Sequence, residues 1–140
     1  MLYRLLYKSR RSPHCDAQEI TNILDAANRN NVDADITGVL LYDDHHFIQY
    51  VEGPQQSLAG LFELIKVDNR HYDIHLISFS PTLTRIFPSW AMGAKGLSEG
   101  EIKLDDSVSA EERTIFQYLI TENLATEDRA MDYIRHFARS

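Results

Sequence analysis

Residues 36–54 read ITGVLLYDDHHFIQYVEGP. Two apolar runs, Ile36 to Tyr42 and His46 to Glu52, are joined by Asp43-Asp44-His45, a hairpin signature. Both faces of these strands carry apolar groups, so a sheet covered on both sides is expected. Gly53-Pro54 stops the second run. Upstream, Leu2 to Ser9 alternates as a strand does. Tyr3, Leu5 and Tyr7 share one face, Arg4, Leu6 and Lys8 the other, and Ser12-Pro13 breaks the element. Asp16 and Glu19 have the spacing of a capping box, in which each side chain takes an orphan amide at a helix start. Ile20, Ile23, Leu24 and Ala27 follow at helical spacing. Arg29-Asn30-Asn31 is expected to end this helix, because asparagine tolerates the left-handed conformation of many helix ends.

Downstream of the hairpin, Leu58, Leu61, Phe62 and Ile65 mark a second amphipathic helix. Ile74 to Phe79 and Trp90 to Ala94 read as two more strands, separated by a loop carrying Pro81 and Pro88. The order β-α-β-β-α-β-β is the ferredoxin-like α+β order with one strand added. It predicts a mixed sheet with two helices on one face. After Gly96 the character changes. Ser109 and Glu112 have capping-box spacing, and Ile115, Phe116, Tyr118 and Leu119 supply an apolar helical face. Thr126 caps a last helix bearing Met131, Ile134 and Phe137. These helices are expected on the other face of the sheet, with a partner's surface as the alternative. The chain thus divides into residues 1–96 and a helical extension, residues 97–140.

The 140 residues suit one domain. A net charge of −7, with no basic stripe, argues against nucleic acid as a direct partner, because that binding rests on neutralising phosphates. A single cysteine, Cys15, excludes an internal disulfide and suits a reducing compartment. No apolar run reaches the roughly 18 residues of a membrane span, and MLYRLLYKSRR lacks the layout of a signal peptide. A cytoplasmic protein is expected, with no membrane partner.

Motifs for common enzyme chemistry are missing. There is no phosphate loop and no dinucleotide fingerprint, and no nucleophile elbow. His45-His46 has no third metal ligand at usable spacing, and adjacent strand residues point to opposite faces. Asp43-Asp44, Glu63, Glu99, Asp105-Asp106 and Glu111-Glu112 fall in turns or on helix surfaces, where solvated carboxylates are the rule. No enzyme is expected.

The informative residues are polar groups in apolar company. Gln49 lies between Phe47 and Val51 on one face of a strand. A buried glutamine costs about 1–3 kcal/mol for each group left unpaired. Tyr7 lies on the apolar face of the first strand and needs a partner for its hydroxyl if buried. Trp90 and Met92 share a face of the last strand. Taken singly, each has a plain structural reading: Tyr7, Trp90 and Met92 as core, Asn30-Asn31 as a helix end. Together they suit a ligand edge of alternating donors and acceptors, held between two helices and a sheet. A flavin ring presents such an edge.

The sequence resembles the BLUF photoreceptor domains from about Leu2 to Gly96. The motifs, in order, are Leu5-Leu6-Tyr7-Lys8-Ser9, Asn30-Asn31, Ile36-Thr37-Gly38, Phe47-Ile48-Gln49, Glu52-Gly53, Asp68-Asn69-Arg70-His71 and Trp90-Ala91-Met92. Their order and spacing are more specific than any one of them. The resemblance implies a noncovalently bound flavin between the two helices, usually FAD, with FMN or riboflavin able to substitute. It implies that Asn31 bonds the ring's C4 carbonyl and N3–H, with Asn30 and Arg85 near the C2 carbonyl. Ile23, Ile65 and Phe47 would pack on the ring, with Asp68 near the ribityl chain. Tyr7 would donate an electron to the excited flavin, with a proton moving through Gln49. The Gln49 amide would end rotated, tautomerised or both, and the absorption band would move to the red. Trp90 and Met92 would carry the change to the last strand and the C-terminal helices.

The resemblance therefore implies a blue-light sensor. Its output would run through a separate effector protein or through its own assembly state as a homo-oligomer. Two rivals remain from the residues alone. A ferredoxin-like module binding a small metabolite explains the fold and the buried amides, but not the set Tyr7, Gln49 and Trp90. A small ferredoxin-like enzyme would need a phosphate-binding loop or a convergent acid-base pair.

Overall fold

A computed structural model describes residues 1–88, 92–96, 110–121 and 127–138. The elements are β1 (Leu2–Arg11), α1 (Ala17–Ala34), β2 (Thr37–Tyr42), β3 (His46–Pro54), α2 (Gln55–Val67), β4 (His71–Pro81), β5 (Gly93–Gly96), α3 (Ala110–Thr121) and α4 (Glu127–Ala138). The sheet order is β4-β1-β3-β2-β5. Only the β2–β5 pair is parallel. This is the expected ferredoxin-like α+β arrangement with an added edge strand.

Each central strand divides its side chains between two cores, since successive residues point to opposite faces. Leu5, Tyr7, Leu40, Phe47 and Val51 pack with Ile20 and Leu24 of α1 and Leu58 and Ile65 of α2. Leu6, Leu41, Ile48 and Tyr50 pack instead with Ile115, Phe116 and Leu119 of α3 and with Met131, Ile134 and Phe137 of α4. The C-terminal helices thus cover the second face. Burial on both faces explains why these strands read as continuous apolar runs. Gly38 permits the tight β2–β3 pairing, because a Cβ there would run into the Tyr50 carbonyl oxygen.

Some boundaries differ from the sequence reading. Helix α1 does not end at Asn30-Asn31 but runs one turn further. Its C-cap is Asp35, in the left-handed conformation with φ 59°, and the Asp35 N–H bonds the Asn31 and Val32 carbonyls. The reason is periodicity. Ile20, Leu24, Ala27, Asn31 and Ala34 lie on one helical stripe, so the inward-facing side of α1 continues through Asn31. At the start of α1, Asp16 accepts from the Glu19 N–H at 3.0 Å. The reciprocal half of the box is replaced, because the Glu19 carboxylate accepts from Asn22 at 3.2 Å. Strand β5 spans Gly93–Gly96. Ser109, Thr126 and Trp90 lie outside the described residues. No described helix is long and apolar enough to cross a membrane.

Glu112 also departs from expectation. It is not a solvated carboxylate on a helix surface. It is buried against Lys95 at 2.6 Å, between α3 and β5. Its place on the α3 face shared with Ile115, Phe116 and Leu119 forces it inward.

Candidate functional site

A cavity of about 320 Å³ opens among α1, α2 and the sheet. That volume lies at the lower end of the range for small-molecule sites. Tyr7, Phe47, Gln49 and Met92 line it from the sheet. Ile23, Asn30 and Asn31 line it from α1, and Ile65 and Asp68 from α2 and its C-cap. The fold therefore gathers into one cavity residues that the sequence spreads from position 7 to position 92. Asn31 is buried, on the inward stripe of α1, whereas Asn30 is exposed at the edge.

Tyr7 and Gln49 are direct cross-strand partners in the β1–β3 register. The Tyr7 hydroxyl donates to Gln49 Oε1 at 2.5 Å. Burial raises the phenol's pKa well above its ordinary value, and the nearby Asp68 charge adds to this. Tyr7 thus holds its proton against the amide oxygen. Gln49 Nε2 donates to Met92 Sδ at 3.9 Å. A thioether is a weak acceptor. Among the described residues this amide nitrogen has no stronger acceptor, although Gln49 is only 7% exposed. A buried amide with spare donor capacity at a cavity wall calls for an acceptor in the cavity. A flavin ring, with carbonyl oxygens and ring nitrogens along one edge, has the chemistry to supply it.

Two lining residues beyond the predicted set organise the far end of the cavity. Arg70 donates to Asp68 through Nε at 2.9 Å and Nη2 at 2.6 Å. Its Nη1 lies 3.6 Å from Glu19 of α1. Burial works to raise the Asp68 carboxyl, but hydrogen bonds and charge from Arg70, with His71 nearby, outweigh it and hold the pKa below the usual range. His71 spans from β4 to β1 and α2. Its Nε2 lies 2.7 Å from the Ile65 carbonyl, which can only accept, so this nitrogen carries the proton. Ser9 Oγ lies 2.7 Å from Nδ1 and in the neutral ring donates to it. The motif Asp68-Asn69-Arg70-His71 carried these residues in the sequence, but no pattern of charge or period set Arg70 and His71 apart. Asn28 was missed as well. It donates to the Leu24 carbonyl at 2.9 Å and to the Met92 carbonyl at 3.5 Å, linking α1 to the segment before β5.

Arg85 is not among the residues that line this cavity. Its guanidinium donates to Thr37 Oγ1 at 2.7 Å, the Glu52 carbonyl at 3.0 Å and the Asp35 carbonyl at 2.8 Å. These bonds fasten the loop after β4 to the starts of β2 and the end of β3. The physical reason is the extended C-terminus of α1, which brings Asp35 and its acceptors to Arg85. Glu52 strengthens the same fastening from the opposite core. Its buried carboxylate accepts from the Tyr50 hydroxyl at 2.8 Å and from the Ile86 and Phe87 N–H groups at 2.9 and 3.0 Å.

Elsewhere, Asp43 accepts from the His45 and His46 N–H groups at the hairpin tip. Among the described residues no cluster of three or more metal-ligating side chains forms. Cys15 is buried, and burial pushes its thiol pKa up despite the opposing charge of Arg11.

Comparison with known proteins follows the same lines. A family model described as sensors of blue-light using FAD matches residues 2–93. The blue light- and temperature-regulated antirepressor BluF of Escherichia coli K12 is 28% identical over 137 residues, 98% of this chain. The chain spans only 33% of that relative's length. The dark-state structure of BlrB, a BLUF protein, is 29% identical with a TM-score of 0.79, and covers 99% of this chain and 96% of its own. The photo-activated state of BlsA is 25% identical with a TM-score of 0.81, and covers 100% and 96%. The chain therefore spans nearly the whole of the BlrB and BlsA chains but a third of BluF. It belongs to the BLUF family, the flavin-based sensors of blue light.

Proposed function

We propose that the α1–α2 cavity holds the flavin as FAD, with FMN or riboflavin able to substitute, and that Tyr7, Gln49 and Met92 convert its excitation into a change of shape. The single observation that supports this most is the chain of contacts from Tyr7 to Gln49 to Met92 along the cavity wall. Asn31, and Asn30 at the edge, would present amides to the ring's carbonyl and N–H edge. Ile23, Phe47 and Ile65 would pack on its apolar surface, and Asp68 would lie toward the ribityl chain. When bound, the flavin supplies blue-light absorption and an acceptor for an electron and a proton.

The chain's own part is a hydrogen-bond exchange. In the resting arrangement Gln49 accepts from Tyr7 and offers its NH₂ toward Met92 and the cavity. Turning the amide over reverses these roles, because one end only donates and the other only accepts. Tyr7 would drive the exchange, a role supported by its hydroxyl donating to Gln49 Oε1. Two arrangements of one amide make a bistable element that can bias a larger one. Residues 1–96 would form the sensory unit, and residues 97–140 would pass its state to a separate effector protein, with a homo-oligomer as a second outlet. Trp90 would share in this relay beside Met92. A buried lone cysteine and a net negative charge fit a cytoplasmic protein that does not bind nucleic acid directly.

The test is an absorption spectrum of the purified protein before and after blue light. A flavin band that shifts red and recovers in the dark is the expected result. Bleaching would point to flavin reduction and a redox role. A protein that stays colourless with added flavin would overturn the assignment in favour of a metabolite-binding module.

A further inference from the structure

On the sheet face opposite the cavity, α3 is held at both ends by lysines. Each lysine sits on, or next to, a segment that contacts Gln49. Lys8 follows Tyr7 on β1, so the two side chains point to opposite faces. Tyr7 bonds Gln49 on the cavity side. Lys8 Nζ donates on the other side to the Leu119 and Ile120 carbonyls, at 3.2 and 3.3 Å. These are among the last carbonyls of α3, which have no partner within the helix and favour a cation.

The second lysine follows the same logic at the far edge. Met92 touches Gln49 on the cavity side. Lys95, three residues on, pairs with Leu41 in the β2–β5 register and turns to the other face. There Nζ meets the Glu112 carboxylate at 2.6 Å, with both side chains buried. Glu112 lies in the first turn of α3.

Ile115, Phe116 and Leu119 already seat α3 on the sheet through apolar contact. A buried ion pair adds little net stability beside such contacts, and its best-attested role is to set register. The two lysines therefore define where α3 lies along β1 and β5. The interdigitated apolar side chains seat the helix, and the two pinned ends tie its position to the strands that hold the lysines.

We propose that Lys8 and the Lys95–Glu112 pair are the two couplings that make the position of α3 depend on Gln49. Reorientation of Gln49 changes its contacts to Tyr7 and Met92 together. Displacement of β1 then acts on the C-terminal turn of α3, and displacement of β5 on the N-terminal turn. This rests on the light-sensor reading above.

The test uses the full chain with flavin bound. Two readouts are taken in parallel: the flavin band shift, and amide hydrogen exchange along residues 110–121 in the dark and under blue light. The parent protein should show both a band shift and a light-dependent change in exchange at both ends of α3. Lys95→Met combined with Glu112→Leu replaces the pair by apolar groups of similar volume and avoids a lone buried charge. It should keep the band shift and lose the light-dependent difference in the first turn. Lys8→Met, at a half-buried position, should keep the shift and lose the difference in the last turn. If both variants retain the parent's light-dependent exchange, the couplings are wrong. A parent with a normal shift and unchanged exchange along α3 would likewise overturn the proposal. A parent with no shift would instead overturn the sensor reading beneath it.

Discussion

Tyr7 and Gln49 face each other directly across antiparallel strands, with the buried phenol donating to the amide oxygen at 2.5 Å. Register alone brings them together. A slip of one residue in the β1–β3 pairing would send one of the two side chains to the opposite core. The placement of the two side chains opposite each other is therefore as secure as the sheet itself.

Replacing Gln49 by leucine keeps the volume and removes both donor and acceptor. Gln49→Leu should still bind flavin, because other residues form most of the cavity lining. It should lose the light-induced red shift. Absorption spectra of the variant before and after illumination check this, and a normal reversible shift would sink the proposed mechanism.

Asn31→Ala removes a buried amide from the cavity while leaving the α1 backbone in a good helix former. Loss of a hydrogen bond to a ligand costs about 1–3 kcal/mol, or roughly ten- to hundred-fold in affinity. Flavin titration of the apoprotein should show that loss. Undiminished occupancy would place Asn31 outside the binding set.

Alkaline pH should destabilise the fold through two buried tyrosines. Burial raises the pKa of Tyr7, with help from Asp68, and burial raises that of Tyr50, with help from the charge and hydrogen bond of Glu52. The folded state thus holds these protons more tightly than the unfolded chain, which releases them near pH 10. Their contribution is fully present below that pH and declines as pH rises further, by up to about 1.4 kcal/mol per pH unit for each group. Denaturation midpoints measured from pH 8 upward should fall above about pH 10. Tyr7→Phe and Tyr50→Phe should each flatten the fall.

Glu52→Ala should be among the costly substitutions. It strips the Tyr50 hydroxyl and the Ile86 and Phe87 N–H groups of their acceptor inside a dry core. Groups left so cost about 1–3 kcal/mol each, so a loss of about 3–5 kcal/mol is expected from urea unfolding. The 85–87 segment should also exchange its amides faster, since Glu52 fastens it.

Much of this was legible in the chain. Alternation marked β1, unbroken apolar runs marked β2 and β3, and 3.6-residue spacing marked the helices, while the alternation in Leu2 to Ser9 placed Tyr7 and Leu6 on opposite cores. The misjudged end of α1 came from weighing Asn30-Asn31 as a stop signal. The stripe Ile20, Leu24, Ala27, Asn31, Ala34 continues the helix face past Asn30-Asn31, and the structure shows Asn31 buried on it. Glu112 was misjudged for the same kind of reason. Its charge suggested solvent, while its position on the helix set its burial.

The sequence by itself determined the order of elements and the two-sided sheet, because periodicity and local capping are properties of neighbouring residues; the cavity-lining residues it suggested came from the family resemblance, and Arg70 and His71 joined them only in the folded chain. Only the tertiary structure decided which polar groups meet. Arg85 turned to Thr37, Glu52 and Asp35, Lys95 found Glu112, and Lys8 found the end of α3. Each of these pairings joins residues 17 to 112 positions apart. Partners so distant are set by strand register and helix placement, which no local pattern encodes.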